Sequence, residues 1–282
     1  MSKLLITGAG GQLGKEALEM FGKLNVQVIG CNKSQLDITN YEQVEEVVNS
    51  LKPNIILNCA AYTNVDQAED NVHHAFLINA IGARNLAIVT DIVGAKIIHI
   101  STDYVFAGTK NKPYNEFDMP DPQTIYGKSK LAGEEFIKNF NKKHFIIRTS
   151  WLYGKYGNNF VKTMLKLSQE SSEINVVNDQ LGSPTLTTDL LISISDLMQT
   201  SYYGTYHVSN AGQCSWYDFA KEIFLIRGND TKVSGICSEN YPTRAVRPKY
   251  SVMDHMGIQL NNLKEMRSWK EALEEFLCKN SI

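Results

Sequence analysis

The 282 residues are 43% hydrophobic and carry a formal net charge of -2, enough apolar material for one large or two modest globular units. Near-neutral charge with no Lys/Arg cluster excludes the basic footprint of a nucleic-acid binder. No uninterrupted apolar run approaches the roughly 20 residues of a membrane span.

Met1 to Thr7 leads straight into a strand, without the charged start and longer apolar stretch of a signal peptide. In chain order, Lys3 to Thr7 is a short apolar run ending in glycines. Gln12 to Lys23 has helical spacing, with Leu13, Ala17, Leu18 and Phe21 on one side. Val26 to Gly30 is a second apolar run, and Tyr41 to Leu51 a helix with Val44, Val47 and Val48 on a face. Asn54 to Ala60, Lys96 to Ser101 and His144 to Thr149 read as further strands, with a long helix from Ala75 to Val93. Short apolar runs alternating with amphipathic helices predict an α/β fold, a Rossmann-type doubly wound parallel sheet.

After Thr149 the rhythm loosens. Asn159 to Gln169, Leu190 to Met198, Trp216 to Ile226 and Trp269 to Leu277 read as helices, and Ile174 to Val177 as a strand. Residues 229–248 read as loop. The expected division is a nucleotide-binding domain over 1–149, to which later segments return, and a smaller C-terminal substrate-binding lobe over 150–282. The five cysteines are widely spaced and form no CxxC pair. They read as reduced thiols of a cytoplasmic protein, with no metal cluster among them.

Thr7-Gly-Ala-Gly-Gly-Gln-Leu-Gly14 sits between a strand and a helix. In that setting Gly8 permits a tight turn, Gly11 lets backbone approach a pyrophosphate, and Gly14 lets the helix pack on the sheet. The helix N-terminus then offers free N–H groups to phosphates. A plain strand-to-helix turn is the competing account. At the end of the second strand stand Asn32 and Lys33, where an acidic residue would select a ribose 2′-hydroxyl. Without that carboxylate NADP is favoured over NAD, with NADH also accepted.

Tyr126 and Lys130 are four residues apart, so both reach one helix face. A tyrosine titrates near 10 in water, and a neighbouring ammonium, with the positive nicotinamide, is expected to lower that value and tune it for proton transfer to a carbonyl oxygen. Ser101 and Thr102 end the preceding strand, and the Thr102 hydroxyl is placed to donate to the same oxygen. Such a spacing also arises by chance on exposed helices.

The order of glycine turn, Ser-Thr at a strand end and Tyr-xxx-Lys resembles the extended short-chain dehydrogenase/reductase family. Further strings narrow it: NCAAYTNVDQAE from Asn58, STDYVF from Ser101, YGKSKLAGE from Tyr126, RTSWLYG from Arg148, NNF from Asn158, DQLGSPT over Asp179 to Thr185, and Arg247-Pro248-x-x-Ser251. These resemble the dTDP-4-dehydrorhamnose reductases over nearly the whole chain. The resemblance implies NADPH-dependent reduction of the C4 ketone of dTDP-6-deoxy-L-lyxo-4-hexulose to dTDP-L-rhamnose, with Thr102, Tyr126 and Lys130 catalytic. It implies cofactor contacts from Gly8, Gly11, Gln12, Leu13, Gly14, Asn32, Asp37, Ile38, Ala60, Ala61 and Tyr62, as well as Tyr126 and Lys130. It implies contacts to a small sugar-nucleotide substrate from Thr102, Asp103, Trp151 and Arg247. Alternatives stay open for three of these: Asp37 as a helix cap, Trp151 as core, and Arg247 as a surface ion pair.

Some relatives bind magnesium between the subunits of a homodimer through glutamates. Here Glu16 matches one position, Asp189 stands at a second, and the C-terminus offers no clear third. No metal ligand is therefore assigned, and the homodimer is an open expectation. Two other functions compete with the reductase. One is another sugar-nucleotide epimerase or dehydratase, although a dehydratase would carry Asp-Glu where Asp103-Tyr104 stands. The other is a non-catalytic NADP-binding regulatory subunit, which would have no need of Tyr126 as an acid.

Overall fold

The computed structural model describes residues 2–279; the expected second lobe therefore has its last three residues outside the described ones. The main sheet contains β1 (Lys3–Thr7), β2 (Gln27–Cys31), β3 (Ile55–Asn58), β4 (Lys96–Thr102), β5 (His144–Thr149) and β6 (Gly204–His207). Their order is β6-β5-β4-β3-β1-β2, and every neighbouring pair is parallel. The fold is the Rossmann-type α/β arrangement.

Strand residues alternate between two apolar layers, as a pleat of period two requires. Leu4, Ile6, Leu57, Ile98 and Ile147 meet Leu13, Ala17 and Phe21 of α1 (Gln12–Phe21) together with Leu190, Leu191 and Ile194. Leu5, Ile56, Ile97 and Ile146 face the other way, against Val44 and Val48 of α2 (Tyr41–Leu51) and Ala83, Leu86 and Val89. After β1 the chain goes to β2 on one side, then crosses to β3 on the other. The strand order thus reverses beside β1, and the ends of β1 and β3 open a crevice there.

The helix expected from Ala75 begins earlier and runs Val72–Ile92. Its middle, Leu77–Gly82, winds as a π-helix, a form that recurs near functional sites. By length and composition it is long and apolar enough to cross a membrane, but 56% of its most apolar window is buried in this fold. Asn79, Arg84 and Asn85 interrupt its apolar sequence.

The segments after residue 150 build a second apolar cluster, with Tyr153, Val161, Phe219, Ile223, Trp269 and Phe276 at its centre. The region expected as loop over 229–248 contains a strand, Lys232–Ile236, paired in parallel with Glu173–Val177. Its composition, with Ser234 and Gly235 inside, gives little strand signal. The partner strand supplies the hydrogen bonds, and a Cβ at Gly235 would lie 2.6 Å from the Asn178 amide nitrogen, so that side chain would have to shift for any other residue.

Candidate active site

The glycine turn and the segment after β3 meet at the crevice. Gly8 has φ +63, and a Cβ on it would lie 2.6 Å from the Ala60 nitrogen. A Cβ on Gly14 would lie 2.4 Å from the Gly8 carbonyl oxygen. Both glycines are therefore required by the chain's own packing. A Cβ on Gly11 would meet only the Gly8 oxygen, at 3.3 Å, so Gly11 borders open space. No side chain caps the N-terminus of α1, and its first-turn N–H groups remain for an anion. An open turn with uncapped donors fits the phosphates of a dinucleotide.

Other residues expected at the cofactor surround this turn. Gln12 donates to the Leu152 carbonyl at 3.2 Å and accepts from Asn159, tying α1 to the second cluster. Leu13 is buried in the sheet core. Asn32 stands over Gly10, and its Oδ1 accepts from Ser34 and Gln35. Asp37 does not cap α2, contrary to that alternative. Asn40 caps the helix, accepting from the Gln43 N–H, while Asp37 accepts from the Thr39 N–H and hydroxyl. The turn at Thr39 places Asp37 one loop too early for the cap. Ile38 packs on Gly82. Asn79, inside the π-helix, accepts from the Tyr62 N–H at 2.8 Å, donates to its carbonyl and to Ser129, and so fixes the segment Ala60 to Tyr62.

At the end of β4, Thr102 donates to Asp103 Oδ1 at 2.9 Å and is hydrogen-bonded to Tyr126. Tyr126 and Lys130 lie on the Ile125–Phe140 helix, whose N-cap is Thr124. Tyr104 meets the Tyr126 ring edge-on, centroids 5.5 Å apart. Thr102, Asp103, Tyr126 and Lys130 are thus gathered at one strand end. The chain's own groups do not lower the Tyr126 phenol as the Lys130 ammonium was expected to. Burial pushes it up to about 12, against the Thr102 hydrogen bond, and the Asp103 charge raises it further. Lys130 spends its ammonium on the Ile100 carbonyl, 2.5 Å away, and burial lowers it to about 8 against the charges of Glu134 and Cys59. Asp103 is pushed up to about 6 by burial, with the Ser251 and Thr102 hydroxyls beside it opposing the shift. Tyr126 is consequently protonated at neutral pH, the state a proton donor requires.

The sequence profile described as the RmlD substrate binding domain matches residues 2–282. The chain is 45% identical to the spore coat polysaccharide biosynthesis protein SpsK of Bacillus subtilis, covering 100% of this chain and 99% of that protein. It is 42% identical to the dTDP-4-dehydrorhamnose reductase of Aggregatibacter actinomycetemcomitans, covering 97% and 98% of the two. The chain belongs to the dTDP-4-dehydrorhamnose reductase family. A crystal structure of such a reductase from Bacillus anthracis in complex with NADP superimposes with a TM-score of 0.98 at 51% identity, covering 99% of this chain and 100% of that one.

In this member of the dTDP-4-dehydrorhamnose reductase family, the remaining expected site residues come from the other side of the crevice. Trp151 has φ 46 and stacks on Trp216, centroids 3.5 Å apart and planes 8° from parallel. It is half-buried, and Gly182 is needed beneath its ring. Arg247 pairs with Asp66 at 2.9 Å, the ion-pair alternative, while its Nε is buried without a partner among the described residues. Glu16 accepts from the Thr187 hydroxyl. Asp189 accepts two bonds from Arg267, at 2.8 and 2.9 Å. Both carboxylates face a cleft of about 590 Å³ between α1, the Thr187–Met198 helix and the C-terminal helix.

Several residues of the region are given no role by the sequence, although Glu134, Arg148 and Ser101 stand in the strings that carry the family resemblance. Glu134, fully buried, holds Arg148 through bonds of 2.9 and 2.7 Å and accepts from Ser101, pinning β4 and β5 to the Tyr126 helix. Asn79 and His99 belong to the same group. Only spatial contacts distinguish them from ordinary helix and strand residues.

Proposed function

We propose that the chain reduces the C4 ketone of dTDP-6-deoxy-L-lyxo-4-hexulose to dTDP-L-rhamnose with NADPH. The observation that carries this is the gathering of a protonated, buried tyrosine, a threonine hydroxyl and a lysine at the strand ends, beside an uncapped glycine turn. It is supported by full-length kinship with reductases named for this step. NADPH, when bound, supplies the hydride that C4 accepts. Tyr126 gives its proton to the ketone oxygen, Thr102 turns its hydroxyl from Asp103 to donate a hydrogen bond to that oxygen, and Lys130 offsets the charge left on Tyr126.

On this reading Gly8, Gly11, Gln12, Leu13, Gly14, Asn32, Asp37, Ile38 and the Ala60 to Tyr62 segment hold the cofactor. Asp103, Trp151 and Arg247 hold the sugar nucleotide, the Arg247 guanidinium matching the geometry of a diphosphate. Residues 1–149 with β6 form the cofactor half, and the segments after 150 mainly the substrate half. The reaction is assigned to the cytoplasm, in keeping with five free cysteines. No magnesium is assigned, since a metal would have to displace Arg267 from Asp189; a homodimer is tested by sedimentation with and without magnesium. The activity is tested by generating the 4-keto-6-deoxy sugar nucleotide in situ, with and without prior epimerisation, and following NADPH absorbance. Oxidation only after epimerisation, with dTDP-L-rhamnose as product, is expected; no oxidation in either arm refutes the proposal.

A further inference from the structure

Sheet register places Thr7 beside Asn58 and Asn58 beside His99, so three polar side chains from three strands lie in one row beneath the site. All three are buried. Asn58 Oδ1 accepts from the Ala60 backbone N–H at 3.2 Å and from the Thr7 hydroxyl at 2.7 Å. A backbone N–H can only donate, so it fixes which end of the Asn58 amide carries oxygen. Asn58 Nδ2 then faces His99 Nδ1 at 3.0 Å, and an NH2 group can only donate there. His99 Nδ1 is therefore the accepting nitrogen. Burial and Lys130 hold the His99 ring well below the usual range, so it stays neutral and its single proton sits on Nε2. That nitrogen is 3.4 Å from Lys130 Nζ.

We propose that His99 is a positioning residue for Lys130: set by Asn58 as the Nε2–H tautomer, it denies the lysine an acceptor and leaves its remaining N–H groups for the proposed site. The ammonium has three protons. One goes to the Ile100 carbonyl. A ring lone pair at Nε2 would absorb a second and hold the charge away from the crevice. An N–H there repels the ammonium, and it donates to the amine when Lys130 is neutral. The groups facing Lys130 are His99 and the Ile100 carbonyl from β4, Glu134 from its own helix, and Cys59 after β3. Glu134 is neutralised by Arg148 from β5, which leaves the His99 tautomer as a deciding polar contact.

This inference rests on the placement of Lys130 in the proposed site, but its test does not require turnover. Asn58→Asp keeps acceptors for Ala60 and Thr7 and replaces the donor facing His99 by an acceptor. A ring that stays neutral must then carry its proton on Nδ1, and Nε2 becomes an acceptor for Lys130; the ¹⁵N spectrum of the variant separates this from an imidazolium. His99→Gln likewise can present a carbonyl oxygen to the lysine. In the full-length protein, ¹⁵N spectra of labelled histidine are expected to show a bare Nδ1 and a protonated Nε2 for His99. The Lys130 side chain, followed by its ¹³Cε shift, should titrate about one pH unit higher in both variants, and the alkaline limb of kcat should move the same way. A protonated Nδ1 in the wild-type protein overturns the proposal, as does identical Lys130 titration in folded variants. If Asn58→Asp does not fold, His99→Gln and the wild-type spectrum still decide. A correct tautomer and lysine shift without sugar-nucleotide reduction would sink only the functional proposal.

Discussion

Replacing Asp103 by Asn should make the protein more stable above pH 6 and leave it no better below pH 4, relative to the wild type. Asp103 is 2% exposed, and its Oδ2 is buried without a hydrogen bond among the described residues. Burial moves its carboxyl from the ordinary 3.8 up to about 6. A raised acid favours the folded state while protonated in both states; that contribution is lost as pH climbs from the unfolded value through the folded one. The shift is about two units, and at about 1.4 kcal/mol per unit the loss is about 3 kcal/mol. Asn keeps one acceptor for the Thr102 hydroxyl and never ionises, so the variant lacks this loss. Urea unfolding from pH 4 to pH 7, read by tryptophan fluorescence, gives the difference between the two proteins, from which other titrating groups cancel. A difference that stays flat across this range refutes the reasoning. A buried, half-satisfied carboxylate beside the proposed acid is a cost that the fold sustains for the site.

Tyr126→Phe should leave NADPH affinity within about threefold while kcat drops by about 10²–10⁴-fold; steady-state rates and fluorescence titration check both, and near-wild-type turnover excludes Tyr126 as the acid. Gly11→Val should weaken NADPH binding far more than it lowers Tm, because a Cβ at that position meets only the Gly8 oxygen at 3.3 Å; unchanged affinity would mean that phosphates do not lie there. Asn32→Asp keeps the acceptor for Ser34 and Gln35 and adds charge alone, so a wild-type preference for NADPH of about tenfold, about 1.4 kcal/mol in kcat/KM, should reverse; an unaltered ratio places Asn32 away from the ribose. Glu134→Gln should cost about 3–5 kcal/mol by stranding the buried Arg148 charge, and the loss should shrink in the Arg148→Met background; strict additivity of the two changes would deny the coupling.

Much of the frame was legible because its causes are local. Tyr41–Leu51 and His144–Thr149 lie where periodicity puts them, since each buries its apolar positions at a spacing that the chain itself displays. The glycine turn shows in the sequence because glycine is the residue that tolerates φ +63 at Gly8 with Ala60 so close. Where a partner from elsewhere supplies the cause, the spacing is silent. Lys232–Ile236 is a strand through Glu173–Val177, and the Asp37 segment was ambiguous until Asn40 took the cap.

By itself the sequence determined the alternation of strands and helices, the phosphate-ready turn and the helix face shared by Tyr126 and Lys130, all interactions spanning a few residues. Only the tertiary structure decided the protonation of the site. It buried Tyr126, Lys130 and Asp103 together and set Lys130 against His99, 31 residues away. It also closed Glu134 onto Arg148. The reason is that a charge's cost depends on how much water the whole fold removes and on which dipoles replace it. The spacing that puts Tyr126 beside Lys130 suggests a lowered phenol; desolvation, which no local spacing encodes, raises it.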